Sequence, residues 1–473
     1  MGLPSPDQLP EEAMLLEVSS LGGQAVRIAA AHDSLLRTVM EEAVAQLGID
    51  LSRLIGPGGS ILDLEETLKA AGLKDGDSVQ AISVAPLPFD TDLSSFYRYV
   101  HLEDMAGHGT FTHVRRLEEA VRLKLWNTPC GQEIHVAVKS MRRADVEQNL
   151  GRITNDREVH FAADRQEQRG FSDALTEIGV LSYLRQQPDL PICLPRMLGS
   201  FHDGEEVCLV REFFPDGDLF GQVQSGRFEG NEASVRHVMW QLLQAVCYLH
   251  GHNIGHRDIS LENLLVAIEP GGTSRIQLKD FDQAVRIRSK CFERTIFRYF
   301  RPAGKPYYRP PESYVSTANQ TVYVRVATDI TAGDIVFAEH LTEQGATTGY
   351  RNEVQLLADT SAGQMGLALP AGYEVPPVDV FAIGVVGFIT SWSVPPWQQA
   401  LPTDRTFTWL QQHGLVNLLT AWHKAPFSPE AMRLLSGMIA ENPRERWTVE
   451  QCLASEWFSP PARIPVPIHQ SAM

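Results

Sequence analysis

Between Ile254 and Leu265 an apolar stretch gives way to a short polar loop and then resumes, as Ile254-Gly255-His256-Arg257-Asp258-Ile259-Ser260-Leu261-Glu262-Asn263-Leu264-Leu265. Such a loop is pinned to a core at both ends. It aims two oxygen-bearing side chains, Asp258 and, five residues on, Asn263, at one spot. Three polar residues such as His-Arg-Asp often sit together on a solvated surface. The full string gains weight from the apolar helix that precedes it and from a partner segment downstream.

At 473 residues the chain is expected to form two or three domains. Its composition, 43% hydrophobic, is that of a globular protein with sizeable cores. No apolar run is expected to reach the roughly 18 residues of a membrane span. The N-terminus lacks a basic segment followed by an apolar one, so it does not read as a secretory signal. Gly2 suggests myristoylation, but Pro6 stands where that motif wants Ser or Thr. The 6 cysteines are scattered without C-x-x-C spacing, which argues against a metal site or disulfide framework. An intracellular, reducing location follows as the expectation, cytoplasmic with the nucleus left open. The formal charge of −17 argues against general nucleic-acid binding, and neither nucleic acid nor membrane is expected as a partner.

Residues 1–13 read as a disordered leader. Met14 to Leu21 and Gln24 to Ala30 alternate as two strands around Gly22-Gly23. Asp33-Ser34 offers an N-cap for a helix carrying Leu36, Val39, Met40, Ala43, Val44 and Leu47, closed by Gly48. A glycine-rich turn, Leu68 to Leu73, Asp75-Gly76-Asp77 and the strand Ser78 to Val84 follow. This order over 14–84 resembles ubiquitin-like domains of the β-grasp fold. No Gly-Gly follows Val84, so the resemblance implies a docking module with an unknown partner rather than conjugation. Residues 85–100 read as a linker.

From residue 101 to 458 a series of motifs appears in order. Gly107-His108-Gly109-Thr110-Phe111-Thr112-His113-Val114 is glycine-rich; Val136-Ala137-Val138-Lys139 is a strand ending in Lys, about ten residues further on than usual. After a polar stretch at 140–170, expected to be an exposed insertion, Leu175, Ile178, Leu181 and Leu184 mark a helix that carries Glu177. Val207 to Val210 runs into Arg211-Glu212-Phe213-Phe214-Pro215-Asp216-Gly217-Asp218. The opening loop is followed by Lys279-Asp280-Phe281-Asp282 and by Tyr308-Arg309-Pro310-Pro311-Glu312. About 65 residues then separate Glu312 from Asp379-Val380-Phe381, so roughly 315–372 is an insertion without a readable motif. Asn442-Pro443-Arg444-Glu445-Arg446 and a proline-containing tail at 459–473 close the chain.

Together these strings resemble the protein kinase family, with its H-R-D-x-x-x-x-N loop. The resemblance implies an α+β, bilobal kinase fold preceded by the small β-grasp domain, with the first lobe ending near residue 214. It also implies ATP and Mg2+ as cofactors and a protein substrate. Under it, Asp258 accepts the proton of the substrate hydroxyl, while Asn263 and Asp280 hold magnesium. Gly107 and Gly109 belong to a loop that cradles phosphate, and Lys139 reaches the α- and β-phosphates in partnership with Glu177. Backbone groups of Glu212 and Phe214 meet the adenine, Asp218 reaches the ribose, and Arg446 pairs with Glu312.

Several positions depart from the family pattern: Thr112 and Asp282 replace Gly, Pro310 replaces Ala, and Arg211 sits behind the adenine pocket. Ser260 stands where serine/threonine enzymes carry Lys, and Lys305 stands where they carry Thr. An exchange follows in which Lys305 supplies the missing charge, bonded to Ser260; the alternative is that Lys305 only lines the substrate groove. The closing helices resemble the calcium/calmodulin-dependent group, which implies serine/threonine specificity. A pseudokinase that binds nucleotide or partners without turnover is the rival, and a kinase governed by its ubiquitin-like module is a third possibility. Phosphate on Ser289 or Thr295 is expected to order the basic segment 286–309.

Overall fold

The computed structural model describes residues 13–20, 24–83, 103–104, 109–118, 120–148, 174–289, 292, 294–315 and 321–459. The leader, linker and tail thus lie almost wholly outside the described residues, as does 149–173; residues 140–148 complete a strand and enter a short helix.

Strict alternation puts Met14, Leu16 and Val18 of β1 (Ala13–Ser20) on one buried face. It pairs antiparallel with β2 (Ala25–Ala31) and parallel with β4 (Ser78–Ser83), and β3 (Leu51–Ile55) closes the order β2-β1-β4-β3. The apolar stripe of α1 (Leu36–Leu47) covers that face, as its 3.6-residue spacing requires. Leu35, not Asp33 or Ser34, is the N-cap, and no side chain caps the helix. The topology is compatible with a β-grasp.

The next lobe is a six-stranded sheet in the order β5-β9-β10-β8-β7-β6. Its members are β5 (Glu103–Asp104), β6 (Thr110–Arg116), β7 (Val121–Asn127), β8 (Glu133–Arg142), β9 (Met197–Asp203) and β10 (Glu206–Glu212). Helix α2 (Arg143–Gln148) follows β8; α3 (Ala174–Arg185) inserts Ile178, Leu181 and Leu184 into the main core.

In the larger lobe α4 (Leu219–Gln224) and α5 (Glu232–Gly251) lead to the small pairs β11 (Ile254–Gly255) with β14 (Val285–Arg286), and β12 (Leu264–Ile268) with β13 (Ser274–Leu278). Helix α6 (Val375–Trp392) lies at the centre of the same core. By length and composition α6 could cross a membrane, contrary to the expectation of no such run, but 89% of that window is buried in protein. Helices α7 (Arg405–His413), α8 (Leu415–Ala421), α9 (Pro429–Met438) and α10 (Val449–Leu453) complete the lobe.

The 315–372 insertion is a closed four-stranded barrel of β15 (Val322–Arg325), β16 (Ile335–Leu341), β17 (Thr347–Leu356) and β18 (Met365–Pro370). Its two halves repeat each other. Asp329-Ile330-Thr331-Ala332-Gly333 recurs as Asp359-Thr360-Ser361-Ala362-Gly363. Asp329 Oδ1 accepts from Ala362 N at 2.8 Å, and Asp359 Oδ1 accepts from Ala332 N at 2.8 Å. Ile330 and Thr360 exchange backbone bonds of 2.9 Å across the pseudo-twofold.

The N-terminal module and the barrel both grip the segment after Asp280. Phe297, fully buried, joins the module's hydrophobic core, and Arg298 N donates to Ala45 O at 2.7 Å. Arg286 pairs with Asp50 at 3.1 Å, while Arg298 meets Glu353 of the barrel at 2.8 Å and Glu374 at 2.9 Å. The expected ordering phosphate on Ser289 has no room. Ser289 is buried and donates its hydroxyl to Asp50, so a phosphate there would face a carboxylate. Acidic side chains of the appended units already neutralise part of the basic run.

Candidate active site

The catalytic-type loop hangs from Asp379 of α6. Its Oδ2 accepts from His256 N at 2.9 Å and its Oδ1 from Arg257 N at 2.8 Å; His250 Nε2 lies 2.9 Å from Oδ2. Burial opposes the charged form of Asp379, yet the bond and charge of His250 hold its carboxyl below the ordinary value. His256 is fully buried, 3.1 Å from Lys279 O and with its ring centroid 5.0 Å from that of Phe281. These contacts order both polar strings from below.

Asn263 Nδ2 donates to Asp258 O at 2.7 Å and Asp258 Oδ2 at 2.8 Å, leaving the Asn263 amide oxygen on the opposite side of the group. Asp258 Oδ1 is buried without a hydrogen-bond partner among the described residues. Burial raises the Asp258 carboxyl, against the lowering pull of Lys305 and His256. An orphaned, proton-hungry carboxylate oxygen suits a group that takes a proton from a substrate hydroxyl.

Lys139 Nζ donates to Glu177 Oε2 at 2.5 Å and lies 3.5 Å from Asp280 Oδ1. Burial alone would lower the ammonium, but Glu177 and Asp280 raise it above its ordinary value. Asp280 has φ +62°, a left-handed conformation. Burial raises its carboxyl, but Lys139, Lys279 and Arg211 outweigh that and hold it low. Asp282 is pushed up to about 7 by burial and by Glu177, Asp280 and Asp258.

Lys305 Nζ donates to Ser260 Oγ at 2.7 Å and to Glu262 Oε2 at 3.0 Å. The close approach that allows this needs Gly304 (φ +76°), where a Cβ would stand 2.7 Å from Arg257 O. Glu312 and Arg446 form a two-point pair of 2.5 and 3.1 Å with almost no exposure, the pairing expected from the resemblance.

On the hinge side, the Phe214 ring rests on Leu265 and Ala267 with the Arg275 guanidinium 4.5 Å away, and the Glu212 carboxylate binds Arg275 at 2.8 Å. Asp218 Oδ1 accepts from Gly221 N at 2.8 Å and so caps α4.

The glycine-rich string does not lie over this cleft. Gly107 falls outside the described residues. Gly109 (φ +88°) packs on the carbonyl of Asn127, at the end of β6 opposite the β6–β7 turn, roughly 20 Å away along the strand. The turn beside Lys139 is instead 117–120, because Val121 pairs with Lys139 in the β7–β8 ladder. The long gap between Gly109 and Lys139 was the sequence signal for this register.

A protein kinase domain model matches residues 143–362. That region is a protein kinase domain. Among similar proteins, a meiosis-specific serine/threonine-protein kinase of Schizosaccharomyces pombe is 27% identical over 261 residues, covering 55% of this chain and 45% of the relative. A probable myosin light chain kinase of Dictyostelium discoideum is 30% identical, covering 40% and 32%. A calcium-dependent protein kinase of Arabidopsis thaliana is 26% identical, covering 61% and 39%. The chain thus spans less than half the length of these curated relatives. Outside the motifs, the kinase domain holds two functional-type groups that the sequence comparison passed over. In the sequence Asp379 marks only the end of the long gap after Glu312, and Lys279 only the residue before Asp280.

Proposed function

We propose that this chain is a serine/threonine protein kinase, moving the γ-phosphoryl group of ATP to a protein hydroxyl. One observation carries the proposal: Asp258, Asn263, Lys139, Glu177 and Asp280 converge on one cleft in which Asp258 Oδ1 is buried without a partner among the described residues. The Asp280 carboxylate and the Asn263 amide oxygen are the hard oxygen donors that Mg2+ takes, and the ion would neutralise charge on the phosphate oxygens. Asp258 orients the substrate hydroxyl and receives its proton. Glu177 fixes the Lys139 ammonium, and Lys305, held by Ser260 and Glu262, brings a second cation beside Asp258. Catalysis of this kind is mostly positioning and charge neutralisation.

The binding-only alternative has less support, since each group needed for transfer is present and the relatives bear kinase names. The module at 13–83 is proposed as a ubiquitin-like docking unit. Purified protein with Mg·ATP and a mixed peptide library should phosphorylate Ser or Thr, with Asp258→Asn about 100–10,000-fold slower. Incorporation no greater than in that variant would overturn the proposal.

A further inference from the structure

The turn over the cleft is a poor phosphate cradle. Among its described residues two N–H groups are already taken, since Leu117 N donates to Val121 O at 3.0 Å and Glu118 N to the same oxygen at 3.2 Å. Arg116 Nε and Arg122 Nη1 in turn donate to Glu118 O at 3.1 and 3.2 Å. No glycine occurs from Val114 to Val121 to let the backbone come close to an anion.

Cations stand there instead. Lys279, immediately before Asp280, extends upward from the floor of the cleft. Its Nζ lies 3.3 Å from Asp280 Oδ2 and 2.7 Å from Glu118 Oε1 at the turn. The lysine side chain is 7% exposed and the glutamate 46%. Arg211, also buried, sits close enough to Asp280 to help hold that carboxyl low, and its Nη1 has no hydrogen-bond partner among the described residues. A buried guanidinium nitrogen without an acceptor is costly unless something anionic arrives to meet it.

We propose that Lys279 and Arg211 bind the polyphosphate of a nucleoside triphosphate in place of a glycine-rich backbone loop, and that Glu118 occupies the phosphate position until nucleotide displaces it. An exposed carboxylate on a surface turn is a replaceable counter-ion, whereas the buried ammonium beneath it requires one at all times. Phosphate oxygens carry more charge than a carboxylate and can reach Lys279, Arg211 and Lys139 together. Exchange of Glu118 for nucleotide therefore leaves no buried cation unpaired. This inference rests on the kinase proposal for the identity of the ligand, but it concerns binding and not transfer.

Titration calorimetry of the full chain with Mg·ATP, and separately with adenosine, tests it. Lys279→Met should weaken Mg·ATP about 10–100-fold, the scale of a lost charge-assisted contact, and leave adenosine unchanged. Lys279→Arg should restore part of the loss. Glu118→Ala should tighten Mg·ATP and do nothing in the Lys279→Met background. Equal Mg·ATP affinity in wild type and Lys279→Met overturns the inference, as does an equal loss of adenosine binding, which would mean general damage to the pocket. If Mg·ATP binds in a Lys279-dependent way but no phosphate is transferred, the catalytic proposal falls and this one stands. If the wild type binds no Mg·ATP, both fall.

Discussion

The two walls of the cleft obey different rules. The lower wall, His256 to Asn263, is mostly buried, hangs from Asp379, and keeps each of the four defined residues of the family's H-R-D-x-x-x-x-N pattern. In the upper wall, described at Leu117, Glu118 and Ala120, every described residue is at least partly solvent-facing, two N–H groups bond back to Val121, and no glycine of the family's loop is present. The difference teaches where identity is constrained. A buried loop must satisfy each polar group internally, so a few residue types fit. A surface turn has water as an alternative partner, and its sequence can drift while the strands beneath it keep their register.

The sharpest break of this contrast lies below. Asp379→Ala leaves two backbone N–H groups and His250 without their acceptor, which should cost about 3–5 kcal/mol in urea unfolding. The pH dependence has a definite sign. The folded carboxyl titrates below its ordinary 3.8. Its contribution is complete above that value and is lost as pH falls through the lower, folded one. The wild type should lose this increment in acid while the variant shows no such loss.

Lys305→Thr tests whether the lower wall carries its own cation. Turnover should fall about 10–1000-fold, and adding Ser260→Lys should recover much of it. A harmless Lys305→Thr would reduce the pair to groove lining. The smallest expected effect comes from Asp282, whose carboxyl is pushed up to about 7 among Glu177, Asp280 and Asp258. Folding then takes up a proton between the ordinary carboxylate value and about 7, so stability falls as pH rises through that window. Asp282→Asn should flatten that decline and gain about 1–2 kcal/mol at pH 8 in thermal unfolding.

Legibility in the sequence followed the same divide. The catalytic loop, Lys139, Glu177 and the Arg446–Glu312 pair were readable because burial and motif spacing coincide there. The glycine string misled because Gly109 satisfies a tight packing contact with Asn127, the same conformational demand in another place. The barrel was hidden although its cue was present: Asp329 to Gly333 recurs as Asp359 to Gly363, a repeat that shows only when the insertion is compared with itself. The grip on Phe297 had no local signal at all, since the core it joins lies in the first fifth of the chain.

That grip also sets a timetable. Ala45 and Arg298, joined by a backbone bond, are about 250 residues apart along the chain. At about 5–20 residues per second of synthesis, the module, which ends at Ser83, emerges about 11–43 s before Phe297 leaves the ribosome. Throughout that interval the surface that will receive Phe297 is complete and vacant, and the same segment of a finished neighbouring copy fits it equally well. Order of synthesis thus opens a route to an exchange of this segment between copies, one that crowded translation favours and dilution suppresses.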